Sequence, residues 1–123
     1  MIGDLDALID SRTRLVAVTL VGSDTGFTHD LKSVCEAAHA KGSLVYADVI
    51  QAAGAIPIDV KDSGVDFCCA GTYKWMMGAF GTAFPYVRPD RLPRADTLSG
   101  RLAAGEAGRA PYLTVRSAES ARG

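Results

Sequence analysis

An aspartate and a lysine follow two successive apolar runs of the sequence and could act together. Asp48 closes the run 43–47, and Lys74 comes shortly after the run 65–70. A lysine in a partly desolvated pocket loses its proton readily and can attack a carbonyl to form an imine, while a nearby carboxylate can hold a cationic ring nitrogen. Pyridoxal phosphate (PLP) needs these two protein groups. The alternative is a structural aspartate and a solvated lysine that share no site.

The elements that would position this pair alternate between strand and helix. The continuous apolar run 15–21 is rich in β-branched residues and predicts a strand buried on both faces of a parallel sheet. Apolar residues at helical spacing predict a helix over 28–41, with Asp30 in its first turn and Gly42 after its last. The run 43–47 predicts a second strand, so these three elements read as a right-handed βαβ crossover.

Two more strands are predicted, over 65–70 and 81–87, and the expected fold class is α/β, with a mostly parallel sheet and flanking helices. Ligands bind at the carboxyl ends of the strands in open α/β sheets. Residues 1–90 are expected to form the folded domain. Residues 91–123 are rich in Ala, Gly and Arg and poor in large apolar groups, which predicts a loosely ordered tail.

The overall composition is that of a globular protein with no polyanionic partner. The 123 residues are 48% hydrophobic and 22% charged, with a formal net charge of -1, which gives no support to nucleic-acid or anionic-membrane binding. No apolar run is long enough to span a bilayer, and the acidic start lacks the features of a signal peptide, so a cytoplasmic location is expected.

The cysteines and histidines suggest no further chemistry. Cys35, Cys68 and Cys69 form no CxxC pair and are expected to be reduced, buried thiols. His29 and His39 lie in or beside the predicted helix and are expected to be structural or solvent-facing. No His, Cys and Asp cluster has the spacing of metal ligands, so no metal site is predicted.

Three segments carry a resemblance to a known family: DVIQAAGAIPIDV at 48–60, GVDF at 64–67 and GTYKW at 71–75. They resemble the class V aminotransferases, fold-type I PLP enzymes that include cysteine desulfurases, selenocysteine lyases, kynureninases and isopenicillin-epimerase-like proteins. The resemblance covers roughly 13–89. It implies part of the PLP-binding large domain, an amino-acid substrate and aminotransferase, desulfurase or lyase chemistry.

The resemblance assigns the central cofactor contacts by position. Lys74 resembles the lysine that forms the aldimine with PLP and then serves as the acid and base at the substrate Cα. Asp48 resembles the acid that keeps the pyridine nitrogen protonated. Gln51 falls where the family contacts the phenolic oxygen of the cofactor.

Outer contacts are also implied. Thr72 and Tyr73 fall where family side chains approach the cofactor phosphate, and Thr25 lies in a turn that matches the segment after the preceding strand. Ser23 stands where desulfurases commonly have an Asn that contacts the cofactor ring, so the chain departs from the desulfurase pattern at this position. Gln51 resembles the desulfurases, whereas 71–75 resembles the kynureninase and epimerase branch, so the subfamily stays open.

Family members are much longer, and the resemblance places a phosphate-holding turn, a ring-stacking residue and a substrate-binding arginine outside this chain. The sequence is therefore expected to be a truncated member, with a homodimer implied because family active sites are completed across a dimer. One alternative is a catalytically incompetent fragment that does not retain PLP. Another is a small flavodoxin-like or nucleotide-binding α/β module, although no GxGxxG or P-loop motif is present.

Overall fold

A four-stranded sheet with the strand order β1-β2-β3-β4 organises the chain. The computed structural model describes residue 5 and residues 7–91. Its elements after the amino-terminal residues are β1 (Leu15–Thr19), α1 (Leu31–Ala40), β2 (Leu44–Asp48), α2 (Val60–Ser63), β3 (Phe67–Gly71), β4 (Ala83–Val87) and a 3-10 turn (Pro89–Arg91). Apart from Arg91, the tail predicted over 91–123 lies outside the described residues.

The first three strands are parallel and the fourth is antiparallel. β1 pairs with β2 so that Thr19 lies opposite Asp48, and β2 pairs with β3 so that Asp48 also lies opposite Cys69. β4 runs back along β3, because the connection 72–82 is too short for the crossover that a parallel strand requires. The predicted α/β class with a mostly parallel sheet is confirmed.

Helix α1 begins and ends at residues that suit its termini. Asp30 is the N-cap, and its carboxylate accepts hydrogen bonds from the backbone N–H of Ser33 at 3.4 Å and from the Ser33 hydroxyl at 2.6 Å. Gly42 follows the helix in the left-handed conformation, at φ 79°. The predicted helix start at residue 28 is wrong, because Thr28 forms a β-bridge with Val21. The first strand was predicted to reach residue 21 but ends at Thr19.

The core lies between α1 and one face of the sheet. Side chains alternate between the two faces of each strand, and those directed toward α1 are buried. The buried positions of the helix and the sheet are Leu31, Val34, Cys35, Ala38, Val16, Val45, Ala47, Cys68 and Ala70. The opposite face, with Tyr46, Asp48 and Cys69, is half-buried. Within the described residues, the prediction of strands buried on both faces therefore holds for one face.

A fully buried aspartate joins the helix, the sheet and the 3-10 turn. Asp66 Oδ2 accepts from the backbone N–H of Val45 at 2.8 Å and contacts His39 Nε2 at 2.7 Å. Asp66 Oδ1 lies 3.0 Å from Arg88 Nη2 and 3.1 Å from Arg91 Nε. Burial raises the pKa of Asp66, but hydrogen bonds from His39, Val45 and Arg91 outweigh burial and leave this pKa below its usual range. We call these five residues the Asp66 cluster.

Candidate active site

Asp48 ends β2 with its carboxylate oriented by the turn that follows. Its Oδ1 accepts a hydrogen bond from the backbone N–H of Ile50 at 2.9 Å. The backbone carbonyl of Asp48 accepts from Leu20 N at 2.9 Å, and Val49 N donates to Cys69 O at 2.9 Å, so the strand end is fixed to both neighbours. Among the residues that the structure describes, none donates a hydrogen bond to Oδ2. The half-buried carboxylate therefore has one oxygen free for a ligand.

Gln51 lies on the first turn after β2. The carbonyl of Val49 accepts from Ala52 N at 2.9 Å and from Ala53 N at 2.8 Å, which closes a helical turn around Gln51. Ala52 and Ala53 are buried and fix this turn on the core. The Gln51 side chain is half-buried and makes no hydrogen bond with another described residue, so its amide is available to a ligand.

Lys74 lies in a closed turn after β3. Met77 N donates to the carbonyl of Lys74 at 3.0 Å, and Gly78 N donates to the carbonyl of Thr72 at 2.8 Å. Met77 adopts a left-handed conformation at φ 53°, which is uncommon for a residue with a side chain. Lys74 is half-buried. Within residues 7–91, its amine forms neither a hydrogen bond nor an ion pair.

Close packing joins the Asp48 turn to the Lys74 turn. A Cβ atom placed on Gly54 would lie 2.8 Å from the carbonyl carbon and oxygen of Trp75, so the two backbones are in direct contact. A Cβ on Gly71 would lie 3.3 Å from Ile50 Cδ1. Because β2 and β3 are also parallel neighbours, both turns leave the same edge of the sheet. The segments that contain Asp48 and Lys74 therefore meet, and a site shared by the two side chains stays a prediction.

Thr72 is engaged with the loop that connects β3 to β4. Its hydroxyl lies 3.2 Å from Thr82 O and 3.3 Å from Ala79 O. A Cβ on Gly78 would lie 2.5 Å from the same hydroxyl oxygen, so Gly78 leaves the space that Thr72 occupies. The hydroxyl proton is directed to backbone carbonyls, and a phosphate oxygen would have to compete with them for it.

Tyr73 and Thr25 are exposed. The Tyr73 ring stacks on Phe80 with centroids 5.1 Å apart and an angle of 18° between the planes. Thr25 Oγ1 accepts from Phe27 N at 3.2 Å within its own turn. Local contacts thus occupy Thr25 and Tyr73, and their approach to a phosphate stays a prediction.

Tyr46 and Cys69 form a pair beside Asp48 that the sequence analysis missed. The Tyr46 hydroxyl lies 2.7 Å from Cys69 Sγ, and Cys69 lies directly opposite Asp48 in the strand register. Burial and then the contact with Cys69 raise the pKa of Tyr46 far above its usual value, so its phenol stays protonated. The available signal was the spacing, because Tyr46 and Asp48 are two residues apart and share a sheet face.

The described residues provide neither a metal cluster nor a membrane-spanning helix. They contain no group of three or more His, Cys, Asp or Glu side chains that could hold a metal ion. No helix formed by these residues is long and apolar enough to cross a membrane. Cys35, Cys68 and Cys69 are free thiols; Cys35 and Cys68 are buried, whereas Cys69 is half-buried.

Comparison with known proteins identifies the family. The profile of the family described as Aminotransferase class-V matches residues 1–106. An uncharacterised aminotransferase of Bacillus subtilis, YcbU, is 43% identical over 97 residues, which are 76% of this chain and 26% of the relative. The kynureninase of Pseudomonas fluorescens is 36% identical over 87 residues, which are 70% of this chain and 21% of that enzyme.

Solved structures agree with this relationship. The cysteine desulfurase CsdA of Escherichia coli superposes with a TM-score of 0.68 at 28% identity, covering 72% of this chain and 22% of the desulfurase. The chain thus spans about a quarter of the length of the curated relatives it matches. The family profile excludes the alternative of an unrelated nucleotide-binding module. The chain belongs to the class V aminotransferases, a family of PLP-dependent enzymes.

Proposed function

We propose that this chain provides the lysine and the acid of a PLP site in an enzyme that acts on an amino acid. One observation carries the proposal: Asp48 and Lys74 lie on turns whose backbones pack together, and each has a reactive atom that no described residue engages. Aminotransferase, desulfurase and lyase chemistry are all compatible with such a site.

The donor set fits the cofactor in charge and hydrogen bonding. Oδ2 of Asp48 is an acceptor for the protonated pyridine nitrogen, and the Gln51 amide is a donor for the phenolic oxygen. PLP, when bound, withdraws electrons from the Cα of an amino acid. Lys74 would hold the cofactor through its amine and, once that amine is free, would move the proton at the substrate Cα.

A homodimer and a cytoplasmic location belong to the same proposal. Family membership supports both. The resemblance implies that family active sites are completed across a dimer, and the cytoplasmic location rests on the family and on the composition of the sequence. Light scattering coupled to size-exclusion chromatography measures the oligomeric state directly. A mass of twice 12.9 kDa supports the dimer, and a monomer at all concentrations contradicts it.

The experiment that tests the PLP site is trapping of the cofactor on the protein. The chain is incubated with PLP, its near-visible absorbance is recorded, and borohydride reduction is followed by peptide mass mapping. We expect a pyridoxyl group on Lys74. Lys74→Ala should abolish the absorbance band, whereas the matched variant Lys61→Ala, which removes an exposed lysine on α2, should retain it.

The opposite result has a clear meaning. Scattered labelling that is equally strong in Lys74→Ala, or no labelling at all, would contradict the proposal for this chain. It would instead support the alternative that this sequence, on its own, does not retain PLP.

A further inference from the structure

Gly54 is the point where the Asp48 turn touches the backbone that follows Lys74. Its φ is +88°, in the left-handed region that favours glycine. A Cβ there would lie 2.8 Å from the carbonyl carbon and oxygen of Trp75 and 2.9 Å from Met76 N. Real Cβ atoms essentially never approach other atoms below 3.0 Å, and all three are backbone atoms, so any side chain would require the peptide between Trp75 and Met76 to move.

Gly54 must be glycine for two reasons, its positive φ and the nearby backbone, and other glycines in the described part of the chain show that these reasons are separable. Gly26, Gly42, Gly64 and Gly81 also have positive φ values, between 68° and 82°, but a Cβ on any of them would meet nothing within 4 Å. Those positions need glycine for conformation alone. Gly54 needs it for conformation and for the close approach of a second backbone.

We infer that Gly54 is a positioning residue that sets how closely the Lys74 turn lies to Asp48. Lys74 directly precedes Trp75, and the hydrogen bond from Met77 N to Lys74 O closes the turn into one unit. A displacement of the Trp75 peptide is therefore passed on to Lys74. This inference rests on the proposed function for the role of the amine, while the placement of the turn is independent of it.

The chemical consequence follows from the sensitivity of reactive groups to position. A displacement of about 1 Å can reduce reactivity by about a hundredfold. A Cβ at Gly54 would push the Trp75 peptide outward by a few tenths of an ångström or more. We therefore expect PLP trapping at Lys74 to slow by about tenfold when Gly54 is replaced by alanine.

The test uses Trp75 as a built-in probe, because it is the only tryptophan in the chain. Gly54→Ala is compared with Gly64→Ala, which also places an alanine at a positive φ, 71°, but at a site with open space. Trp75 emission and its quenching by acrylamide are measured without cofactor, and borohydride trapping is measured with PLP. Gly54→Ala should change the Trp75 signals and slow trapping, whereas Gly64→Ala should leave both at the wild-type level.

Each outcome decides the inference. Wild-type Trp75 signals in Gly54→Ala would overturn it. A changed Trp75 signal, with no trapping even in the wild-type chain, would support the positioning role and contradict the proposed function. If Gly54→Ala does not fold, Gly54→Asn replaces it, because Asn tolerates left-handed φ but still adds a Cβ. If neither Gly54→Ala nor Gly54→Asn folds, the inference is overturned, because the contact at Gly54 would then be required for folding of the whole domain and not only for the position of the Lys74 turn.

Discussion

Replacement of Asp66 by Asn should destabilise the fold strongly, because every group around this carboxylate is a donor or can act as one. Val45 N and His39 Nε2 approach one oxygen, and Arg88 and Arg91 approach the other. An asparagine offers one acceptor oxygen and one NH₂ group. Whichever way the amide is turned, its NH₂ faces donors, so either the buried Val45 N–H or the pair of arginines loses an acceptor.

The expected loss is about 1.5 to 3 kcal/mol at neutral pH, the range for hydrogen bonds to a charged group, because the side chains of His39, Arg88 and Arg91 are 32%, 24% and 27% exposed and can be hydrated once the carboxylate is gone. Asp66 itself is 0% exposed, so water does not replace these partners in the folded wild type. Its pKa lies below 3.8 because hydrogen bonds from His39, Val45 and Arg91 outweigh burial. The stabilisation is therefore complete above the unfolded pKa and disappears as the pH falls through the lower folded value. The difference between wild type and variant should shrink accordingly at acid pH.

The assay is urea unfolding followed by circular dichroism, at neutral pH and at about pH 2. Asp62→Asn is the matched control, because it breaks an ion pair with Lys32 whose side chains are 65% and 50% exposed, and we expect little change. Equal stability of Asp66→Asn and wild type at neutral pH would refute the reasoning. So would a loss that remains undiminished at acid pH, since the carboxylate charge could not then be its cause.

Three other changes test the site and the core. Asp48→Asn should weaken PLP binding by about tenfold to a hundredfold in a spectroscopic titration, because it removes the charge that we propose faces the ring nitrogen; unchanged affinity would exclude that contact. Val45→Ala should cost about 2 to 3 kcal/mol in urea unfolding, because Val45 is fully buried. Iodoacetamide should label half-buried Cys69 in the folded chain before Cys35, whose pKa burial raises to about 11; mass spectrometry that finds the reverse order contradicts this.

Helices and strands were predictable where the apolar residues repeat at a single spacing, either helical or that of a strand. The buried face of α1 follows from apolar residues at helical spacing, and its termini follow from Asp30 and Gly42. The start of the helix was not predictable from its pattern, because Thr28 is held by a bridge to Val21. The periodicity of the sequence does not indicate whether β4 runs parallel or antiparallel to β3, and only the length of the connection 72–82 constrains its direction.

The candidate site was predicted from residue types that indicate chemistry, and its contacts to a cofactor stay predictions. Asp48 and Lys74 are polar residues at strand ends, and the parallel strands bring those ends to one edge. The role of Gly54 depends on a close contact between two backbones, which exists only in the folded chain. Asp66 left a readable signal, because a charge between Val65 and Phe67 in an apolar run predicts a buried, partnered carboxylate.

Strand β3 separates a cluster that stabilises the fold from the turn that contains Lys74. The Asp66 cluster lies just before the strand and the lysine turn just after it, and five residues of strand span about 16 Å. Substitutions that far apart, with no shared partners, have additive effects on stability. Substitutions around Lys74 should therefore leave the contribution of the Asp66 cluster to the free energy of unfolding intact, and that contribution helps to keep the fold above its stability threshold.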